Sequence, residues 1–289
     1  MPDVFEEICR LRAAGERGAL ATVISTRGNT PGKETMRLLV RESGASVGTV
    51  DGGGVEAEVI VAAREVMENG TPRRVAYRLT ETEAGGHGAL CGGEIEVFIE
   101  PVTVPGLVLF GAGHVSQDLS AIAARAGFRV SVADDRAAFA NTDRFPGASE
   151  IHAGETFAAC FAEIHPTSST YVVVVTRDHT MDLECVDYAL HTEASYVGLI
   201  GSKTKVRAIL GRLRDAGRLE GVDLSRLHAP IGLDVGATTP GEIAVAVVAE
   251  LIAHRRNRTA TLPAKRLTEE VMRNIAEHPA RDRSAETTS

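Results

Sequence analysis

Apolar and polar positions along the chain follow two successive rhythms, and the change falls at Leu107. Before it, short β-branched or alternating runs predict strands at 19–26, 36–40, 45–50, 73–79 and 94–101. A helix is expected over 3–15. A second is expected from Val55, where Val55, Val59, Ala62, Ala63 and Val66 recur at the helical period, and it stops at Gly70 and Pro72. Together these make a small α+β domain of about 100 residues, with 102–106 as a linker. From Leu107, apolar strands at 107–110, 128–133, 171–176 and 195–200, and a weaker one at 148–152, alternate with helices at 114–126, 181–192 and 203–217. A last amphipathic helix is expected at 240–256. Such alternation predicts an α/β fold, a Rossmann-like doubly wound parallel sheet with helices on both faces. The expected domains are 1–103 and 104–260, and the polar segment 261–289 is expected to be a flexible tail.

Composition narrows the functional classes. The chain has 289 residues, 44% of them hydrophobic, with 4% aromatic, no Trp and a formal net charge of -8. An acidic chain poor in aromatic rings suits neither nucleic acid nor an anionic membrane. No apolar run reaches the roughly 20 residues that span a bilayer. The start, "MPDVFEEICR", lacks a basic leader followed by an apolar core, so a cytoplasmic protein is expected. Cys9, Cys91, Cys160 and Cys185 form no C-x-x-C pair, which argues against a zinc site or a disulfide scaffold.

The candidate chemistry sits in glycine-rich loops. "LVLFGAGHVSQDL" places Gly111 and Gly113 between a strand and a helix, the arrangement that brings a pyrophosphate to a helix N-terminus. Ser116 holds the third position, where Gly or Ala is usual. Asp134, 21 residues after Gly113, stands where an acid would take ribose hydroxyls, while the neighbouring Arg136 leaves room for a phosphate instead. His114 opens the helix. Three more loops should reach the same crevice at the carboxyl ends of the strands. They carry His179 and Asp182, then Gly201, Ser202 and Lys203, then Thr239 as an N-cap with Glu242. Alone, a His after a strand is more often a loop residue and a Lys such as Lys203 a solvated first-turn residue; their convergence is what points to a ligand. In the front domain, "GTVDGGGVEAEV" sets Gly52, Gly53 and Gly54 before a helix, with Glu56 in its first turn. "GGHGALCGGEIEV" places Cys91 beside Gly92 and Gly93. That thiol is either accessible to a soft metal or a small packing residue in a tight turn.

The segments "STRGNTP", "GTVDGGGVEAEV", "CGGEIEVFIEP", "FGAGHVSQDL", "TRDHTMDLE", "GLIGSKTKVRAIL" and "HAPIGLDVGATTPGEIAVAVVAEL" together resemble the XdhC/CoxI family, in order, over roughly residues 5–258. These are accessory proteins of xanthine dehydrogenase and related molybdenum hydroxylases. The resemblance implies a Rossmann domain behind a small N-terminal domain. It also implies binding of molybdenum cofactor in its molybdopterin or dinucleotide form, support of its sulfuration, and delivery to the apo-hydroxylase. A cysteine desulfurase and the hydroxylase are the implied partners, and a homodimer the implied assembly. Many relatives carry a cysteine in the first glycine cluster; here that stretch reads Gly53-Gly54-Val55-Glu56, which leaves Cys91 as the candidate molybdenum contact. Two other functions stay open on the residues: an NAD(P)-dependent oxidoreductase using His179 and Asp182 as an acid/base pair, and a scaffold that binds no ligand.

Overall fold

A computed structural model describes residues 3–78 and 93–258, which form two units with a division between Val104 and Pro105. Cys91, Gly92 and the expected tail at 261–289 lie outside the described residues.

The first unit contains α1 (Val4–Ala14), β1 (Gly18–Arg27), β2 (Arg37–Arg41), β3 (Ser46–Gly48), α2 (Gly54–Asn69), β4 (Arg73–Arg78) and β5 (Glu94–Pro101). Its strands pair antiparallel in the order β3-β2-β1-β5-β4. β5 buries alternate residues, as its sequence alternation predicts. α2 buries Val55, Val59, Ala62, Ala63 and Val66, the stripe read from the helical period. The third strand is shorter than expected. Gly48 turns the chain with φ +88°, and a Cβ there would stand 2.3 Å from the Arg37 carbonyl oxygen, so the strand ends before Val50 tucks into the core.

The second unit runs β6 (Gly106–Phe110), α3 (His114–Arg125), β7 (Arg129–Asp134), β8 (Glu150–Ala153), α4 (Phe157–Phe161), β9 (Thr170–Val174), α5 (His179–Leu190), β10 (Tyr196–Leu199), α6 (Lys203–Asp215), β11 (Leu227–His228) and α7 (Pro240–Arg255). All strands are parallel, in the order β11-β10-β9-β6-β7-β8. β6 shows why both faces must be covered. Leu107 and Leu109 join a core with Leu119 of α3 and Val247 and Leu251 of α7; Val108 and Phe110 join the opposite core with Phe157, Val186 and Leu210. α4 and β11 are absent from the pattern reading, being too short to show a period. α5 begins two residues earlier than expected because the Asp178 side chain accepts the Thr180 N–H at 2.6 Å. Among the described residues, no helix is long and apolar enough to cross a membrane.

α7 departs from its expected amphipathic character. Between Ile243 and Ala253 only Val245 is exposed, and the helix carries Glu250 into the core. That carboxylate accepts hydrogen bonds from Tyr196 Oη at 2.9 Å and the Gly232 N–H at 2.7 Å, and His228 Nδ1 lies 3.0 Å away. It thereby ties the segment after β11 to β10 and α7. Burial pushes the Glu250 carboxyl up, but His228, Tyr196 and Gly232 together hold it below its ordinary value of 4.5. Because its folded value is the lower one, its stabilising effect is full above pH 4.5 and drains as pH falls through that folded value. Glu250→Gln should cost about 3 kcal/mol at pH 7. Urea denaturation of parent and variant should show that difference shrinking as the pH is taken below 4.5.

Candidate functional site

The strand order reverses between β6 and β9, and the loops leaving these two strands meet there. Gly111 (φ +112°) lies so close to β9 that a Cβ would stand 2.4 Å from the Val175 carbonyl oxygen, and its N–H donates to Ala133 O at 2.7 Å. Only glycine fits. Gly113, the N-cap of α3, differs: its φ of -75° suits any residue, and a Cβ there would have nothing within 4 Å. The first glycine makes the turn, and the second leaves open space in front of a helix N-terminus. Ser116 is buried, and its Oγ donates to Gly111 O at 2.5 Å, closing the loop on itself. The departure at the third position is thus absorbed by a hydrogen bond.

Asp134 ends β7 beside this loop, but it is not free for a ribose. Its Oδ2 accepts the Ala112 N–H at 2.7 Å and Arg136 Nη2 at 3.0 Å; its Oδ1 accepts the backbone N–H and Nε of Arg136 at 3.1 and 2.8 Å. With 2% of its side chain exposed, the carboxylate holds the glycine loop and Arg136 in place, which corrects the expectation of an open ribose acceptor. The Arg136 guanidinium lies 3.8 Å from the centre of the Phe139 ring, and Arg144 lies 4.9 Å from the same ring. Arg144 also donates to Ala112 O at 3.3 Å and Gln117 Oε1 at 3.0 Å, and its buried Nε has no hydrogen-bond partner. His114 is exposed at the start of α3.

The loop after β9 separates the two residues expected to form an acid/base pair. Asp182 is fully buried; its Oδ1 accepts the Thr176 N–H at 3.2 Å and Thr176 Oγ1 at 2.7 Å, and its Oδ2 pairs with Lys205. His179 has a side chain 70% exposed and lies 4.0 Å from Asp178. The pair does not form, because His179 opens α5 facing solvent while Asp182 points into the core. Lys203 is likewise exposed. Lys205, two residues on, carries the ammonium that reaches inward, and Ser202 caps α6 by accepting the Lys205 N–H at 3.2 Å. Gly201 makes room for the Lys205 side chain, whose Cδ would stand 2.8 Å from an added Cβ. Thr239 and Glu242 form the expected cap: Glu242 accepts the N–H groups of Thr238 and Thr239 at 2.8 and 3.0 Å, which pull its carboxyl down to about 2.

In the first unit, Gly52 takes φ +75°, and Gly53 and Gly54 lead into α2. Glu56 is engaged, its Oε2 accepting Thr49 Oγ1 at 2.5 Å. Gly93 serves packing: a Cβ there would stand 2.4 Å from Thr30 Cγ2 and 2.6 Å from Asn29 O, so the protein itself fills the space expected to admit a ligand. Asp51, absent from the sequence candidates, has a buried Oδ1 without a hydrogen-bond partner. Burial, and then the charge of Glu56, push its carboxyl up, against the Val55 N–H. Of the described cysteines, Cys9 is exposed, while burial pushes the thiols of Cys160 and Cys185 up. Among the described residues, no three His, Cys, Asp or Glu side chains gather as a metal site.

An open glycine loop at the switch point of a six-stranded parallel sheet defines a Rossmann-type domain. Residues 107–251 match the XdhC Rossmann domain and residues 11–78 match the XdhC and CoxI family, and the chain belongs to that family. "Uncharacterized protein YqeB" of Escherichia coli K12 is 34% identical over 91% of this chain and 48% of its own length. A probable xanthine dehydrogenase subunit of Bacillus subtilis 168 is 32% identical over 55% of this chain and 44% of its own. The chain thus spans about half the length of these curated relatives. A crystal structure described as a xanthine dehydrogenase from Bacillus halodurans covers 88% of this chain and 96% of its own, at 24% identity and TM-score 0.48.

The two glycines should respond differently to substitution. Gly113→Val should keep the melting temperature and lose binding of a pyrophosphate-bearing probe. Gly111→Val should lower the melting temperature outright, since its Cβ would meet backbone atoms. Thermal melts and calorimetric titration with ADP-ribose check both.

Proposed function

We propose that this chain is an accessory protein of a xanthine dehydrogenase-type molybdenum hydroxylase. On this reading it binds molybdenum cofactor, supports its sulfuration by a cysteine desulfurase, and delivers it to the apoenzyme. The observation that carries the proposal is the open face at Gly113, before a helix N-terminus at the switch point, in a chain of the XdhC and CoxI family. A phosphate of the cofactor, with or without a nucleotide, suits the N–H groups at the start of α3 and the cationic side chain of Arg144. The exposed His114 would border that phosphate.

The metal end asks for a soft ligand. The first glycine cluster holds none, and the proposed thiol is Cys91. Sulfuration and handover would take place with the chain as a cytoplasmic homodimer. An NAD(P)-dependent oxidoreductase is disfavoured by the separation of His179 from Asp182.

Deleting the protein should leave the hydroxylase at normal abundance but without sulfurated molybdenum. Metal analysis and cyanide-releasable sulfur of the purified hydroxylase measure this, and a fully active enzyme from the deletion strain would end the proposal. Cys91→Ser should reduce the molybdenum that co-purifies with this chain while its melting temperature stays within a few degrees of the parent.

A further inference from the structure

Asp135 follows β7 directly, and Arg177 lies three residues beyond β9. These strands are not neighbours; β6 runs between them. Two strand spacings separate their ends by about 10 Å. The side chains nevertheless close that distance. Arg177 and Asp135 form a two-pronged ion pair, with Nη2 to Oδ2 at 2.7 Å and Nη1 paired with Oδ1. The pair therefore spans the carboxyl end of β6, where the Gly111–Gly113 loop leaves the sheet.

The charges around the loop are unequally matched. Asp134 is committed to Ala112 and Arg136. Arg144 has no carboxylate within ion-pair distance among the described residues, and its Nε is buried without an acceptor, so this cation beside the loop meets only neutral acceptors and the Phe139 ring. Arg177 would be a second such cation but for Asp135. Its side chain is 41% exposed against 11% for Asp135. Arg177 is also the main reason the Asp135 carboxyl sits below its ordinary value. Only the guanidinium end of this pair is open to solvent, and Asp135 has a second cation at hand, Arg136 Nε lying 3.7 Å from its Oδ1, so Arg177 can leave without stranding the carboxylate. A guanidinium fork fits a phosphate as well as it fits a carboxylate.

We infer that Arg177 is an anion-binding residue of the switch-point crevice, held in reserve by Asp135 until a phosphate-bearing ligand takes the place of that carboxylate. The inference rests on the reading that the Gly111–Gly113 loop accepts such a ligand. On binding, the guanidinium turns from Asp135 to a phosphate oxygen, and the carboxylate keeps Arg136, whose Nε lies 3.7 Å from its Oδ1. On release, Asp135 recaptures Arg177. The carboxylate therefore competes with the ligand throughout, lowering affinity and making departure easier.

The test is calorimetric titration of the full chain with ADP-ribose and with inorganic pyrophosphate, using the parent, Asp135→Asn, Arg177→Gln and the double variant, with thermal melts to establish folding. Asp135→Asn should bind about two- to fivefold tighter than the parent, the range expected on removing a competing pair whose guanidinium is open to solvent. Arg177→Gln should bind about tenfold or more weakly than Asp135→Asn, and the double variant should match Arg177→Gln. Equal binding by the parent and Asp135→Asn would overturn the competition while leaving the nucleotide reading intact. Binding unaffected by Arg177→Gln would remove Arg177 from the site. Failure of the parent and of Asp135→Asn to bind either probe would refute the glycine loop as a phosphate site, and the role of Arg177 with it.

Discussion

The second unit depends on one close approach: the backbone at Gly111 against the carbonyl of Val175, where a Cβ would be 2.4 Å from the oxygen. The missing side chain lets the loop after β6 lie directly against the end of β9. From that contact follow the turn closed by Ser116, the hydrogen bond from Ala112 to Asp134, and the direction in which α3 starts. Each uses a polar group that would otherwise be buried unsatisfied, so the chain's own hydrogen bonds fix the shape of the loop.

The front unit uses its glycines differently. Gly48 and Gly93 allow chain segments to touch, and Glu56 is bound to Thr49, so much of what looks like a cradle is spent on packing. What remains open to chemistry is narrower: the entry to α2, with the Asp51 carboxyl beside it, pushed up by burial.

The architecture was legible because periodicity reports burial. The α2 stripe, the alternation of β5 and the near-continuous apolar strands of the second unit all reflect which side of an element meets a core. The positions of the glycine loops were legible for a similar reason, since Gly111 must be glycine wherever two backbones approach so closely. Side-chain commitments were not. Spacing puts Asp134 at the right strand end but cannot show that Ala112 and Arg136 have filled its oxygens. Lys203 and Lys205 look alike in sequence, and only the phase of α6 turns one to solvent and the other to Asp182. Glu250 hides within an apolar run whose period gives no hint of the Tyr196, His228 and Gly232 groups waiting for it.

The saturation of Asp134 bears on selectivity. A strand-end acid with free lone pairs measures a sugar by its hydroxyls. Here those lone pairs are occupied by the chain's own amide and guanidinium groups, so this position gives a ribose no acceptor. On the proposed function, what the domain would still grip is the charged linkage between two moieties. A site of that kind would be blind to the letter carried at the far end. It would serve a bare phosphoester and its nucleotide-extended relative alike, and leave discrimination between them to the protein that the proposed function makes the recipient.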